Sequence, residues 1–181
     1  MILSIYETFN INKSIFIIKL RIKDKMNLDF LGDVYLDKQY SIDLKLENFI
    51  FNLEYPLSTK GIPAKNKVNL GEDISYILDT FKKNPYAVNL SNNHIMDYGE
   101  TGFNDTIKFL EETGIKYFGA GKKSNNYNNP LIVKSNNKNL ALLAYCCPSA
   151  HGVYGNENHI GAATLNINKI KVCFVGWVFL K

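Results

Sequence analysis

The chain has 181 residues, of which 46% are hydrophobic, so it can form one domain with a full core and is neither a disordered tail nor a disulfide-stapled mini-protein. Its 21 Lys and Arg against 17 Asp and Glu leave a formal net charge of +4, and because the basic residues are scattered, the composition predicts no nucleic-acid partner. The three cysteines match neither a disulfide framework nor a Cys-x-x-Cys metal site, which favours a reducing compartment.

The first 25 residues precede a second methionine, Met26, and we predict that they are an extension outside the fold. The domain is predicted over residues 26–181. Glu7 precedes the apolar part of the extension and no small-residue cleavage site follows it, so a secretory signal is not predicted. The apolar stretch at 172–180 is about half of the ~20 residues that a bilayer requires, and we predict a buried strand there. The sequence as written therefore predicts a cytoplasmic location.

Two short apolar runs open the predicted domain. Residues 27–31 form the first predicted strand, which ends at the turn residues Gly32 and Asp33. Residues 49–53 form the second, which stops at Glu54. The polar stretch that follows, residues 57–70, predicts a surface loop.

Strands and helices then alternate. The apolar spacing predicts helices over residues 72–83 and 102–112, with Gly114 closing the second. Further strands are predicted at 86–91 and 116–119, and a strand pair at 131–133 and 139–146. This alternation predicts an α/β layered domain, which usually binds its ligands at the ends of the strands.

Polar side chains collect at three of these strand ends. The candidate residues are Asp33, Glu54, Asn92, Asn93, His94 and Asp97. Carboxylates, an amide oxygen and an imidazole at one sheet edge are the donor set for a divalent metal such as Mn²⁺, Zn²⁺ or Mg²⁺. Such an ion polarises a phosphoryl or acyl group and acidifies a bound water. Each residue alone has a plain structural interpretation as a turn, a strand terminus or a loop.

Three blocks of the sequence, residues 30–36, 52–57 and 90–99, resemble the bacterial CapA-type proteins of poly-γ-glutamate capsule synthesis. The most specific block is Asn-Asn-His-x-x-Asp-Tyr-Gly, and the resemblance extends over residues 27–170. It implies the N-terminal part of a metallophosphatase-like αββα sandwich, which is a calcineurin-like fold of two sheets flanked by helices.

The resemblance also implies roles for the candidate residues. Asp33 corresponds to the first-strand metal ligand, Glu54 to a bridging carboxylate, and Asn93 to a ligating amide. His94 is implied as a general acid or as a group that orients the substrate. Asp97 is implied as its hydrogen-bonded partner, which fixes the tautomer of the imidazole.

The sequence departs from the family after residue 170. Relatives continue into a His-Trp-Gly block and a Gly-His-x-Pro-His block that complete the metal site, and neither is found here. We therefore expect a chain cut short at its C-terminal end. His151 and His159 are predicted to be loop residues rather than ligands.

Three functions stay open at this point. The first is a capsule biosynthesis protein with a metal site, acting as a metal-dependent hydrolase or transferase once the missing half is supplied. The second is a non-catalytic remnant or a subunit that depends on a partner. The third is a metallophosphoesterase for a small substrate, which the absence of an Asp-x-His motif disfavours.

The resemblance implies partners as well. These are a capsule polymer or a phosphorylated precursor, and capsule synthesis proteins associated with the envelope. It places the protein at the cell envelope, in conflict with the N-terminal sequence.

Overall fold

The computed structural model of the chain describes residues 2–10, 13–22, 26–42, 44–72, 75–122, 129–135, 138–148 and 151–165. The predicted strand at 172–180, and with it Cys173, lies outside the described residues. Most of the predicted loop at 122–129 also lies outside them.

A six-stranded sheet forms the centre of the fold. Its strands, in spatial order, are β1 (Ile2–Asn10), β2 (Lys13–Ile22), β3 (Met26–Val34), β4 (Asn48–Leu53), β5 (Ala87–Asn89) and β6 (Lys116–Phe118). The strands β3 to β6 are parallel to one another, while β1 and β2 pair antiparallel with their neighbours. The predicted α/β fold is therefore confirmed.

The first two strands come from the predicted N-terminal extension. Their backbones form a hairpin that pairs with β3, so the sheet continues into residues 2–22. The domain boundary at residue 26 stays a prediction.

Two helices connect the parallel strands, and their bounds differ from the predicted ones. Helix α1 spans Ser75–Phe81, two residues short of the predicted end at residue 83, and Lys82 ends it with a left-handed φ of 51°. Helix α2 spans Gly99–Glu112, three residues longer at its start than predicted, and Gly114 follows it with a φ of 69°.

Two strands of two residues and two strands of five residues complete the described fold. They are β7 (Ala120–Gly121), β8 (Leu131–Ser135), β9 (Lys138–Leu142) and β10 (Gly161–Ala162). Strands β8 and β9 form the predicted antiparallel pair, while β7 pairs with β10. None of the helices in the described part of the chain is long and apolar enough to cross a bilayer.

Each face of the central sheet is covered by a different layer. On one face Phe49 and Phe51 belong to a core that includes Ile77 of α1 and Leu110 of α2. On the other face lies a second core, which consists of Leu28, Ile50, Ala87, Val133 and Leu142. The order of layers is thus helices, sheet and β8–β9 hairpin, because alternate residues of β4 point to opposite faces.

Tyrosines give the fold a dependence on alkaline pH. Burial, followed by a hydrogen bond to Glu72, raises the pKa of Tyr35 to about 12, and burial with a hydrogen bond to Glu111 raises that of Tyr117 to about 12. Burial also raises the pKa of Tyr55, which is fully enclosed. These raised values mean that the folded state keeps protons that the unfolded chain has lost.

We therefore expect the free energy of unfolding to be unaffected by these phenols below pH 10 and to fall between pH 10 and pH 12. Chemical denaturation at a series of pH values measures it. The Tyr35→Phe variant is the matched comparison, since its stability should fall less steeply. Equal slopes for the variant and the wild-type chain would contradict the assignment to Tyr35.

Candidate functional site

The candidate residues lie at the carboxyl ends of three adjacent parallel strands. Asp33 is the next-to-last residue of β3, and Glu54 directly follows β4. The loop that carries Asn93 and His94 follows β5. Since β4 lies between β3 and β5, these ends meet at one edge of the sheet.

A polar row crosses the three strands at this edge. In the register of the sheet Asp33 is opposite Asn52, and Asn52 is opposite Asn89. The Asn52 side-chain nitrogen, Nδ2, donates a hydrogen bond to Asp33 Oδ1 at 2.8 Å and another to Glu54 Oε2. Asn52 and Glu54 are buried, whereas Asp33 is exposed. Two carboxylates therefore converge on one nitrogen atom.

Hydrogen bonds to its oxygen atom fix the orientation of the Asn52 amide. Its oxygen accepts hydrogen bonds from Asn89 Nδ2 and Asn92 Nδ2, both at 3.1 Å. Asn89 Oδ1 in turn accepts from the backbone N–H of Ser91 at 2.7 Å. Because the oxygen is occupied by donors, Asn52 can offer only its NH₂ group to Asp33 and Glu54.

Asn92 shapes the loop that carries the next two candidates. Its Oδ1 accepts the backbone N–H groups of His94 at 2.9 Å and Ile95 at 2.8 Å, and its Nδ2 also donates to the carbonyl of Leu53 at 2.7 Å. An asparagine that caps its own turn in this way is structural. The neighbouring Asn93 is the amide of this pair that the resemblance assigns to a ligand.

His94 and Asp97 are in contact. His94 Nδ1 lies 2.7 Å from Asp97 Oδ2, as expected for a residue pair separated by one helical turn. The Asp97 side chain is 1% exposed, and its Oδ2 also accepts the N–H of Leu70 at 2.7 Å. The carbonyl of Asp97 accepts the N–H of Ala64 at 2.7 Å. Asp97 thus organises both His94 and the long loop before α1.

The charge state of Asp97 follows from these contacts. Burial by itself raises the pKa of this carboxyl, but hydrogen bonds from His94, Lys67 and the Leu70 N–H outweigh it, so the pKa lies below its ordinary value of 3.8. Asp97 is therefore a carboxylate at neutral pH, and the His94 nitrogen facing it, Nδ1, carries the proton.

No sequence pattern pointed to Lys67, which the structure places at this site. Its ammonium nitrogen lies 2.5 Å from Asp97 Oδ1, 2.6 Å from the carbonyl oxygen of Asn93 and 3.1 Å from that of His151. These contacts join residues up to 84 positions apart, which no local pattern predicts. Asn52 and Asn89 were missed as well, although Asn52 shares a strand face with Glu54.

The two other histidines lie in loops, as predicted. His151 and His159 are both exposed. The backbone N–H and the Nδ1 atom of His159 lie within hydrogen-bond distance of the Asn156 side-chain oxygen. Gly152 lies directly against Asn93, since a Cβ atom there would be 3.0 Å from the Asn93 Cα. The loop after Cys147 therefore covers the Asn93 backbone.

The donor set at the sheet edge has the chemistry of a hard cation site. The carboxylates of Asp33 and Glu54 both accept hydrogen bonds from the NH₂ group of Asn52. Carboxylate oxygens are ligands that suit Mg²⁺ or Mn²⁺. A group of three or more His, Cys, Asp or Glu that could hold a metal ion does not occur among the described residues. A cation at this edge would therefore take its further ligands from amides or water.

Comparison with known proteins gives a match over most of the chain. The model of the family described as bacterial capsule synthesis protein PGA_cap matches residues 41–172. The capsule biosynthesis protein CapA of Bacillus anthracis is 25% identical over 170 residues, which cover 82% of this chain and 41% of the relative. The chain therefore spans less than half the length of that relative. Glu54, Asn93, His94 and Asp97 lie within the matched segment, and Asp33 precedes it.

Proposed function

Since the chain belongs to the bacterial capsule synthesis protein family, whose fold is metallophosphatase-like, we propose that it acts in capsule polymer synthesis through a divalent cation at the Asp33–Glu54 edge of the sheet. The observation that supports this is the convergence of two carboxylates on Asn52 Nδ2. Like charges held this close favour binding of a cation.

Each candidate residue has a role in this proposal. Asp33, Glu54 and the amide oxygen of Asn93 would hold the cation, with Mn²⁺, Mg²⁺ or Zn²⁺ as the ions to compare. When bound, such an ion polarises a phosphoryl or acyl group and lowers the pKa of a bound water. His94 carries its proton on Nδ1 and donates it in a hydrogen bond to the Asp97 carboxylate, which leaves Nε2 to accept or deliver a proton at the substrate.

The proposal names the substrate by class only. A capsule polymer such as poly-γ-glutamate, or a phosphorylated precursor of a capsule polysaccharide, would meet the cation at the strand ends. Capsule synthesis proteins of the cell envelope are the proposed partners. The relative from Bacillus anthracis carries the name capsule biosynthesis protein, and that name supports the same process for this chain.

The test of the cation site is calorimetric titration of the full chain with Mn²⁺. We expect one site in the wild-type protein and at least a roughly tenfold weaker affinity in Asp33→Asn and Glu54→Gln, since each change removes one charged oxygen ligand. Glu112→Gln is the control, because that carboxylate is 65% exposed and lies in α2. Equal affinities in all four proteins would contradict the assignment.

One observation favours a second function. The described residues hold no group of three metal-ligating His, Cys, Asp or Glu side chains. This supports a non-catalytic subunit, or one whose site a partner completes. Wild-type protein that fails to bind Mn²⁺ in the titration would favour this alternative.

A further inference from the structure

Lys67 occupies an unusual place for a lysine. It belongs to the connection between β4 and α1, and its side chain is only 12% exposed. Lysines are almost never enclosed unless their charge is paired, because removing an ammonium group from water costs several kcal/mol. The surroundings of this nitrogen must therefore supply a counter-charge and acceptors.

Three oxygen atoms surround the ammonium group of Lys67. It forms an ion pair with the Oδ1 atom of Asp97 and donates hydrogen bonds to the carbonyl oxygens of Asn93 and His151. These oxygens come from two segments: Asn93 and Asp97 lie in the connection between β5 and α2, and His151 lies in the loop after Cys147. One nitrogen atom thus joins these two segments to its own, which is a third.

The two oxygens of Asp97 divide their contacts between Lys67 and the residues of the site. Oδ1 faces Lys67, while Oδ2 accepts from the Leu70 N–H and from His94 Nδ1. Since Lys67 holds Oδ1, the carboxylate cannot rotate about its bond without losing an ion pair.

We propose that Lys67 is a positioning residue of this site: by binding Asp97, Asn93 and His151 together, it holds the Asp97 carboxylate in the orientation that keeps the His94 proton on Nδ1. The same bonds fix the backbone of Asn93, whose side chain is the proposed ligand. This inference rests on the proposed function only for the roles of His94 in proton transfer and of Asn93 as a ligand. The contacts of Lys67 with Asp97, Asn93 and His151 do not depend on it.

A lysine side chain suits this role better than an arginine side chain does. Three acceptors grouped around one point match the three donors of an ammonium group, whereas the planar guanidinium of arginine directs its donors in a fork. A neutral side chain of similar length, such as methionine, would fill the space and leave all three acceptors without this donor.

Nuclear magnetic resonance of the full, ¹⁵N-labelled chain without added metal tests the proposal. In the wild-type protein the neutral His94 ring is expected to be a single tautomer with the proton on Nδ1. In Lys67→Met we expect comparable amounts of the two tautomers, because Asp97 is then free to turn away from the ring. A residue that only stabilised the fold would not change this ratio.

Hydrogen exchange gives a second readout in the same samples. The N–H groups of Leu70 and Ala64, which bond to Asp97, should exchange about tenfold faster in Lys67→Met, while that of Val88 in β5 should be unchanged. Lys108→Met is the matched control: it removes the same charge from a side chain that is 73% exposed, and it should match the wild type.

The outcomes separate this inference from the proposed function. Unchanged tautomer and exchange in Lys67→Met would overturn the positioning role. If that variant fails to fold, Lys67→Gln replaces it: its side chain is one bond shorter and carries no charge to pair with Asp97, so an unchanged His94 tautomer in it would overturn the role equally. Because these measurements need no metal, a wild-type chain that does not bind Mn²⁺ would refute the cation site alone.

Discussion

Replacing Asp97 by alanine is expected to lower the free energy of unfolding by about 3–5 kcal/mol, as is typical when one partner of a buried ion pair is removed. The change leaves the Lys67 ammonium, 12% exposed, without its carboxylate. It also removes the acceptor of the Leu70 N–H and of His94 Nδ1. Chemical denaturation at neutral pH measures the loss.

A matched control comes from an exposed ion pair of the same chain. Glu112 lies 3.9 Å from Lys108 with both side chains largely in solvent, so Glu112→Ala should cost less than about 1 kcal/mol. The double variant Lys67→Met with Asp97→Ala should recover part of the loss, since no charge is then left unpaired. An Asp97→Ala protein as stable as the Glu112→Ala protein would contradict the central position of this carboxylate.

The stability difference between the wild type and Asp97→Ala should depend on pH and decrease in acid. The pKa of Asp97 is lowered on folding, so its contribution is present above its ordinary value of 3.8 and is lost as pH falls through the lower, folded value. The gap in stability between the wild type and Asp97→Ala should therefore be constant near neutral pH and narrow in acid.

Replacing Asn52 by aspartate is expected to destabilise the chain by about 1–3 kcal/mol at neutral pH, although the two side chains have nearly the same shape. The oxygen facing Asn89 and Asn92 stays an acceptor, so their hydrogen bonds survive. The NH₂ group that faces Asp33 and Glu54 becomes a third carboxylate oxygen, and three negative charges then meet at one point.

Mn²⁺ distinguishes this effect from general damage. Added Mn²⁺ should raise the melting temperature of Asn52→Asp more than that of the wild type, because a cation relieves the repulsion and gains a ligand. Asn84→Asp is the control, since that amide is exposed and bonds only to the carbonyl of Thr113 among the contacts found. An Asn52→Asp protein that is as stable as the wild type and indifferent to Mn²⁺ would show that the edge carries little charge.

Sequence reasoning predicted the parts of this site that depend on local patterns. Apolar runs identified β3 and β4, and because parallel strands end at one sheet edge, Asp33 and Glu54 were expected to approach each other. The pairing of His94 with Asp97 was implied by the family resemblance, and the two side chains lie 2.7 Å apart. The α/β class of the fold also followed from the alternation of strands and helices.

The parts that were missed depend on contacts across the fold. Asn52 and Asn89 are polar residues within strands, and their partnership exists only because the sheet register places them opposite each other. Lys67 reaches Asn93 and His151 through the course of a long loop, which carries no periodic pattern. The end of α1 at Lys82 reflects a left-handed backbone that the apolar spacing could not reveal.

The attachment of the loop before α1 has a consequence for the entropy of folding. Between β4 and α1 the backbone is bonded at Leu57 to the Thr106 hydroxyl, at Ala64 to the Asp97 carbonyl and at Leu70 to the Asp97 carboxylate. The long connection is thereby divided into short closed segments, and the closure cost of a loop rises only with the logarithm of its length. Two of these three attachments are to Asp97, so the loop and the residues around Asp97 should order together.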